Sequence, residues 1–321
     1  MKHTLSALLL SLILMIRLHA AAWETLPPLP EPNGGFACGT LNGGIVIAGG
    51  TKWVDGTKVW LDKIWWLDPK TLKWSAKGTL PHPVAYAVCG QWKDGIVIAG
   101  GFDGTKAHDE VWHLTSTFEL KTVAHLKTAV SIAQGGVCGD ELIVIGGTPD
   151  VAKLDALIAT AQHIRLTDGV AKEIAAPDAT PFGTAASAVI GNHLYIHGGV
   201  RHDAVKAAAN LGNAWAFDVG TKRWQALPPY PIATRGADGA ALDDHRIYLA
   251  GGYADDVDDF TDKAFIHDIK ANTFTKSVPL PMPNCAKLIV CDGHLYALGG
   301  EPAKKVRTDK CWRIRVEELS R

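Results

Sequence analysis

The stretch His193-Leu-Tyr-Ile-His-Gly-Gly199 and five similar stretches decide the fold of this chain. The other five end in the same glycine pair and are Gly44–Gly50, Gly95–Gly101, Glu141–Gly147, Arg246–Gly252 and His294–Gly300. Each run is too short for a stable helix and is rich in β-branched and aromatic residues, so each predicts a strand. The glycine pair allows the backbone to turn sharply where a Cβ would clash.

The glycine pairs recur on average about every 50 residues, which resembles the kelch repeat, in which each repeat forms one four-stranded blade. Aromatic pairs nine positions apart predict the two outer strands of a blade on either side of a tight turn; these are Trp65 and Trp74, Trp215 and Trp224, and Phe265 and Phe274. Repeats two and three are degenerate outside their glycine pairs. We therefore expect an all-β fold, a six-bladed kelch-type β-propeller.

The two ends of the chain are expected to share the last blade. A third strand is predicted around Trp312, but the chain stops at Arg321 before a fourth strand marked by tryptophan. The stretch that begins Trp23-Glu-Thr-Leu-Pro-Pro28 has the pattern of that missing strand. Pairing it with the last blade would remove an open sheet edge and close the ring.

The first residues have the pattern of a signal peptide. Lys2 precedes an apolar run from Leu5 to Ile16, and small residues follow at positions 20–22. The run is short for a membrane span. We expect a signal peptide over 1–21, a propeller over 22–321, a periplasmic or secreted location, and no membrane association after cleavage.

Composition narrows the class of partner. Lys and Arg total 32 against 33 for Asp and Glu, so nothing in the net charge indicates a nucleic-acid partner. We expect a small-molecule ligand and leave a homodimer open. Four of the six cysteines lie in apolar stretches and are expected to be free and buried, namely Cys38, Cys89, Cys138 and Cys291; the state of Cys285 and Cys311 is left open.

The loops at one mouth of the propeller channel carry the candidate site residues. In kelch-type propellers these are the loops after the second strands and the loops that lead into the first strands. They offer arginines, a glutamate and aromatic residues, which suit an acidic sugar. The candidates for substrate binding are Trp53, Arg201, His202, Arg235, Tyr253 and Asn284.

One segment carries a more specific resemblance. Gly300-Glu301-Pro-Ala-Lys-Lys-Val-Arg307-Thr308-Asp309 resembles the segment of bacterial N-acetylneuraminate mutarotases that holds a catalytic glutamate and a carboxylate-binding arginine. The stretch from Phe36 to Gly101, including Gly78-Thr-Leu-Pro-His-Pro-Val-Ala-Tyr86, is similar to the same family and to its cyclically permuted relatives. The resemblance implies that Glu301 and Arg307 are catalytic and that the substrate is a sialic acid.

The implied reaction is acid–base catalysis of ring opening and reclosure at the anomeric carbon, with no cofactor and no metal. A copper-radical oxidase is disfavoured because the 13 histidines are scattered, and a sialidase is disfavoured because its repeated Asp-box motif is missing. The main alternative is a non-catalytic kelch propeller that binds a glycan or a protein partner through the same mouth.

Overall fold

The computed structural model describes residues 22–205 and 207–319, so the predicted signal peptide over 1–21 lies outside the described residues. The described chain contains six antiparallel sheets of four strands. The first sheet comprises Ala37–Leu41, Gly44–Ala48, Lys63–Asp68 and Lys73–Thr79, and the second comprises Val88–Trp92, Gly95–Ala99, Glu110–Leu114 and Leu120–His125. The third comprises Gln134–Cys138, Glu141–Ile145, Ala161–Arg165 and Val170–Ile174.

The later sheets repeat this order. The fourth comprises Ala186–Ile190, His193–His197, Ala214–Asp218 and Arg223–Ala226. The fifth comprises Asp238–Ala241, Arg246–Ala250, Ala264–Asp268 and Thr273–Lys276, and the sixth comprises Lys287–Cys291, His294–Leu298, Cys311–Arg315 and Glu24–Leu26. Helical structure in the described residues is limited to two short 3-10 turns, Leu154–Ala156 and Val316–Glu318.

Short ribbons extend some of the connections between strands. Thr51–Val54 pairs with Thr57–Trp60, and Val200–Arg201 pairs with Ala209–Asn210. A three-stranded ribbon joins Thr234–Arg235, Tyr253–Ala254 and Asp259–Phe260. Across residues 22–205 and 207–319, no helix is long and apolar enough to cross a membrane.

The second strand of each sheet lies in the most buried position. Ile45, Val46 and Ile47 are at most 1% exposed, and the equivalent residues of the other sheets are also buried. Both faces of such a strand are covered because each sheet is packed between two others, which explains the continuous apolar runs in the sequence. The glycine that ends the first run has no room for a side chain, since a Cβ on Gly49 would lie 2.1 Å from the carbonyl oxygen of Val84.

The hydrophobic core is divided into clusters between consecutive sheets. Ile96 and Ala48 belong to a cluster between the first and second sheets. Tyr296 and Ile47 belong to a cluster that joins the sixth sheet to the first. The sheets therefore pack side by side in the manner of a kelch-type β-propeller.

The N-terminal strand pairs with the C-terminal strand. Glu24–Leu26 runs antiparallel to Cys311–Arg315, with Thr25 opposite Trp312. The carboxylate of Glu24 accepts hydrogen bonds from Arg313 Nε at 2.6 Å and from Arg313 Nη2 at 3.2 Å. The indole of Trp23 donates to the carbonyl oxygen of Pro279 at 2.7 Å.

Candidate functional site

The residues that lead into the first strands surround a cavity of about 540 Å³. Every sheet contributes to it, through Gly34–Phe36, Tyr86–Ala87, Ile132–Gln134, Thr184–Ala185, Arg235–Asp238 and Cys285–Lys287. The last glycine pair and the segment after it add Gly300, Glu301, Lys304 and Arg307. A volume of this size is typical of small-molecule sites.

A chain of backbone hydrogen bonds links five of these segments. In the order Gly236, Thr184, Ile132, Tyr86 and Gly35, the amide N–H of each of the first four donates to the carbonyl oxygen of the next, over 2.7 to 3.1 Å. All five have positive φ, between 49° and 74°. Such values are unusual for Ile, Thr and Tyr, so the strain is held by the surrounding packing. The chain of bonds fixes the backbone from which Tyr86 enters the cavity.

Arg307 is the most firmly held charged group of the site, since its side chain is only 4% exposed. Its Nε and Nη2 both donate to Thr51 Oγ1 at 3.1 Å, and Nη2 also donates to the Tyr86 hydroxyl at 2.7 Å. Its Nη1 donates to Glu301 Oε2 in a short ion pair. A Cβ on Gly34 would lie 2.9 Å from Arg307 Cδ, so the glycine makes room for the guanidinium.

Glu301 is oriented by this contact while keeping access to the cavity. Its side chain is 26% exposed, and its Oε1 accepts a hydrogen bond from the backbone N–H of Lys305 at 3.2 Å. Charge-assisted hydrogen bonds of this kind fix the direction of a carboxylate. The group combines a held position with a partly exposed side chain in the cavity lining, as a general base requires.

Arg235 provides a second guanidinium with donors to spare. Its Nη1 donates to Asn210 Oδ1 at 2.6 Å, and its guanidinium carbon lies 4.1 Å from the centre of the Tyr253 ring. Asn210 is itself fixed by donating to the carbonyl oxygen of Tyr253 at 2.9 Å. Nε and Nη2 of Arg235 have no hydrogen-bond partner among the described residues, so they are free to bind an anion.

The cavity lining carries a second ion pair. Lys287 Nζ lies 3.0 Å from Asp238 Oδ2, and the same oxygen accepts the backbone N–H of Leu288 at 2.7 Å. Burial opposes the charge of Lys287, but the carboxylate of Asp238 outweighs it and holds the lysine pKa above its usual range. Lys287 is therefore a permanent cation in the cavity.

The six cysteines are free thiols. Cys38, Cys138 and Cys291 are buried as expected, whereas Cys89 is half-buried. Cys285 lines the cavity, and burial raises its thiol pKa to about 12, with the nearby Glu301 adding to the shift and Arg307 opposing it. A thiol with so high a pKa is protonated at neutral pH and is a poor nucleophile.

The structure brings together half of the predicted site residues. Glu301, Arg307, Arg235 and Tyr253 line the cavity. The other four lie outside its lining: Trp53 packs near Lys58, Arg201 contacts Asp203 at 3.5 Å, His202 Nδ1 lies 3.2 Å from the carbonyl oxygen of Ala207, and Asn284 is buried.

Asn284 has a structural position that is repeated elsewhere. Its side-chain amide donates to the carbonyl oxygen of Gly299 at 2.7 Å, and Asn33 donates in the same way to Gly49 at 2.9 Å. Both asparagines brace the backbone at a glycine pair. This role follows from the repeat and requires no ligand.

Tyr86 and Thr51 were not predicted from the sequence as partners of Arg307, although both lie in the stretch from Phe36 to Gly101. Lys287 and Asp238 were not predicted as site residues either. The signal that could have found these two is a charged residue at the start of a first strand that is otherwise apolar, since such a residue faces the channel.

Two comparisons with known proteins bear on this architecture. The kelch motif family model matches residues 32–81 and 181–229. Alpha-scruin of Limulus polyphemus is 24% identical over 242 residues, which cover 71% of this chain and 26% of that protein. N-acetylneuraminate epimerase 1 of Escherichia coli O6:H1 is 28% identical over 118 residues, which cover 32% of each protein.

These matches span about a quarter and a third of the two curated relatives. The kelch motif matches at residues 32–81 and 181–229 agree with the repeated four-stranded antiparallel sheets of the structure. On these grounds the chain has a β-propeller fold that contains kelch motifs.

Proposed function

We propose that this protein is a mutarotase that interconverts the α and β anomers of N-acetylneuraminate by opening and reclosing the sugar ring. The observation that carries the proposal is the placement of Glu301 against Arg307 at the wall of a cavity large enough for a sugar acid. The similarity to an N-acetylneuraminate epimerase over part of the chain supports the substrate class.

The charge of the cavity favours an acidic ligand. Four cationic side chains line it, Arg235, Lys287, Lys304 and Arg307, against two anionic ones, Asp238 and Glu301. A neutral sugar would leave this excess of positive charge without a partner in a partly enclosed site. A sugar that carries a carboxylate would balance it.

Glu301 supplies the proton transfers. Its carboxylate removes the proton from the hydroxyl on the anomeric carbon, the bond from that carbon to the ring oxygen breaks, and the same proton is delivered to the ring oxygen. The open keto form then rotates about the adjacent bond, and the ring closes on the other face by the reverse transfers. One carboxylate therefore acts as base and then as acid, with no net change in the protein.

The two arginines divide the remaining work. Four N–H bonds of Arg307 are taken by Thr51, Tyr86 and Glu301, so its first task is to hold the base, and it retains one Nη1 hydrogen for substrate. Arg235 has free donors that can grip the substrate carboxylate through two parallel hydrogen bonds. The carboxylate stays anchored while the ring opens.

A non-catalytic propeller that binds a glycan or a protein is the second candidate. It is favoured by the match to alpha-scruin, which covers 71% of this chain, more than the match to the epimerase does. Glu301 weighs against it, because the carboxylate is neither fully exposed nor outside a pocket of sugar size. The two candidates differ in whether the anomers equilibrate faster in the presence of the protein.

Anomer-resolved proton NMR of freshly released N-acetylneuraminate tests the proposal. The unaltered protein should speed equilibration, and Glu301→Gln should reduce that acceleration by about 10²–10⁴-fold while sialic acid still binds. Glu31→Gln is the matched control, since Glu31 is an ion-paired glutamate, bonded to Lys52 at 2.7 Å, that does not line the cavity. Equal rates for Glu301→Gln and the unaltered protein would exclude Glu301 as the base.

A further inference from the structure

A cluster of two histidines and two carboxylates lies outside the cavity lining, next to the second sheet. His82 belongs to the proline-rich link that precedes this sheet, and Asp103 and His108 belong to the connection between its second and third strands. Glu110 is the first residue of the third strand. None of the four takes part in the proposed proton transfers.

Three ligand atoms converge in this cluster. His82 Nε2 lies 3.7 Å from Glu110 Oε1, and His108 Nδ1 lies 3.2 Å from Glu110 Oε2. One ligand atom from each of the three residues lies within 4.8 Å of the other two. Side-chain movements of about 1 Å would bring them to the spacing of ligands around a zinc ion with bonds of about 2.0–2.2 Å.

The other ring nitrogen of each histidine faces a hydrogen-bond acceptor. His82 Nδ1 lies 3.1 Å from the carbonyl oxygen of Pro83, and His108 Nε2 lies 2.9 Å from Asp103 Oδ2. Asp103 is anchored in turn, because its Oδ1 accepts the backbone N–H groups of Thr105 and Lys106 at 2.6 and 2.9 Å. Protons on these outer nitrogens would leave the nitrogens that face Glu110 free to bind an ion, as in metal sites.

The cluster is incompletely satisfied by its own members. His82 Nε2 is buried and has no hydrogen-bond partner within residues 22–205 and 207–319. The two imidazole rings are stacked, with centres 3.8 Å apart, so binding one ion through both rings requires them to rotate out of this stack. The carboxylates of Asp103 and Glu110 supply negative charge that a divalent cation would balance.

We propose that His82 Nε2, His108 Nδ1 and the carboxylate of Glu110 form a binding site for a divalent transition metal, with Zn²⁺ as the best fit. Two imidazoles and one carboxylate are a known zinc donor set, which leaves the fourth position to water. The ion would tie the proline-rich link to the third strand of the second sheet. This departs from the sequence-based expectation of no metal, which rested on proton transfers that need no Lewis acid.

Measuring Zn²⁺ binding to the untagged full chain tests the site. The protein is first freed of metal with a chelator, and its affinity for Zn²⁺ is then measured by competition with a second, chromophoric chelator. The unaltered protein should bind one equivalent at this site and gain a few degrees of melting temperature when Zn²⁺ is about 100 times its dissociation constant. His108→Ala and Glu110→Gln should abolish both effects. Asp103→Asn, which removes only the outer carboxylate, should weaken binding by about 10–100-fold.

His245→Ala is the matched control. His245 lies with Asp243 and Asp244 in the other described group that could hold an ion, but those three residues are consecutive in the chain. His245→Ala should bind the same one equivalent of Zn²⁺ as the unaltered protein. The proposal is overturned if the unaltered protein binds no stoichiometric Zn²⁺, or if the ligand variants bind it as tightly.

Nitrogen-15 NMR of the histidine rings keeps the test decisive should a variant fail to fold. In the unaltered protein, Zn²⁺ should shift the signals of His82 Nε2 and His108 Nδ1, while the outer nitrogens remain protonated. Shifts at any other pair of ring nitrogens, or none at these two, would contradict the assignment.

Discussion

Acidification should destabilise the propeller through His197, a histidine that is fully buried in the fourth sheet. Its Nε2 lies 3.1 Å from His267 Nδ1 of the fifth sheet, and the ring packs near Tyr230 and Phe274. Burial, with a smaller contribution from His267, lowers the pKa of His197 from 6.5 to about 3. The pair can share a hydrogen bond only while at least one ring is neutral.

The sign and the size follow from the two pKa values. In the unfolded chain His197 binds a proton below about pH 6.5, whereas in the folded protein it stays neutral down to about pH 3. Its contribution is therefore fully present above pH 6.5 and is lost as the pH falls towards 3. At about 1.4 kcal/mol per pH unit, the free energy of unfolding should fall by about 3 kcal/mol between pH 6.5 and pH 4.

Urea unfolding at several pH values between 7 and 4 measures this loss. His197→Gln removes the titrating group, so its free energy of unfolding should fall by about 3 kcal/mol less than that of the unaltered protein over this range. Acidic side chains contribute equally to both proteins and cancel in the difference. His202→Gln, which removes an exposed histidine, is the control. An identical pH dependence for His197→Gln and the unaltered protein would refute the reasoning.

Three further outcomes are expected. Deletion of residues 22–27 removes the strand paired with Cys311–Arg315 and should lower the free energy of unfolding by about 3–5 kcal/mol or make the protein insoluble; an unchanged melting temperature would argue against closure by this strand. Arg307→Lys keeps a positive charge but loses the planar guanidinium contacts, so NMR kinetics should show slower turnover together with weaker substrate binding. Unchanged turnover and binding would mean that Arg307 is not part of the site. Gly34→Ala should slow turnover by displacing the Arg307 side chain, and full activity in that variant would show that the guanidinium tolerates the shift.

Much of the fold could be predicted because the repeat is local. Each glycine pair closes a buried strand within a few residues, so the second strands and their spacing are visible without any long-range information. The pairing of Glu24–Leu26 with the strand around Trp312 could also be predicted, because the last repeat lacked its fourth strand. The ribbon formed by Thr51–Val54 and Thr57–Trp60 was not predicted, since it lies in a loop with no repeat to compare.

The site was harder to predict because its contacts cross the ring. Glu301 and Arg307 are six positions apart and could be read as one motif. Tyr86 and Thr51, which hold Arg307, are 221 and 256 positions away from it in the chain. Only the packing of the first and second sheets against the segment after the last glycine pair brings these side chains together. The residue types of these loops do not indicate which of their side chains meet in the folded protein.

The same geometry makes the proposed site depend on closure of the ring. Arg307 follows the second strand of the sixth sheet, Thr51 follows the second strand of the first, and Tyr86 precedes the first strand of the second. Because the guanidinium bonds to all three regions, loosening the sixth sheet from the first would separate Arg307 from Thr51 before it disturbs the sheets themselves. A protein without residues 22–27 that remains soluble should therefore show weaker sialic acid binding and lower mutarotase activity. Retained activity in that protein would mean that Arg307 holds Glu301 without the help of the first sheet.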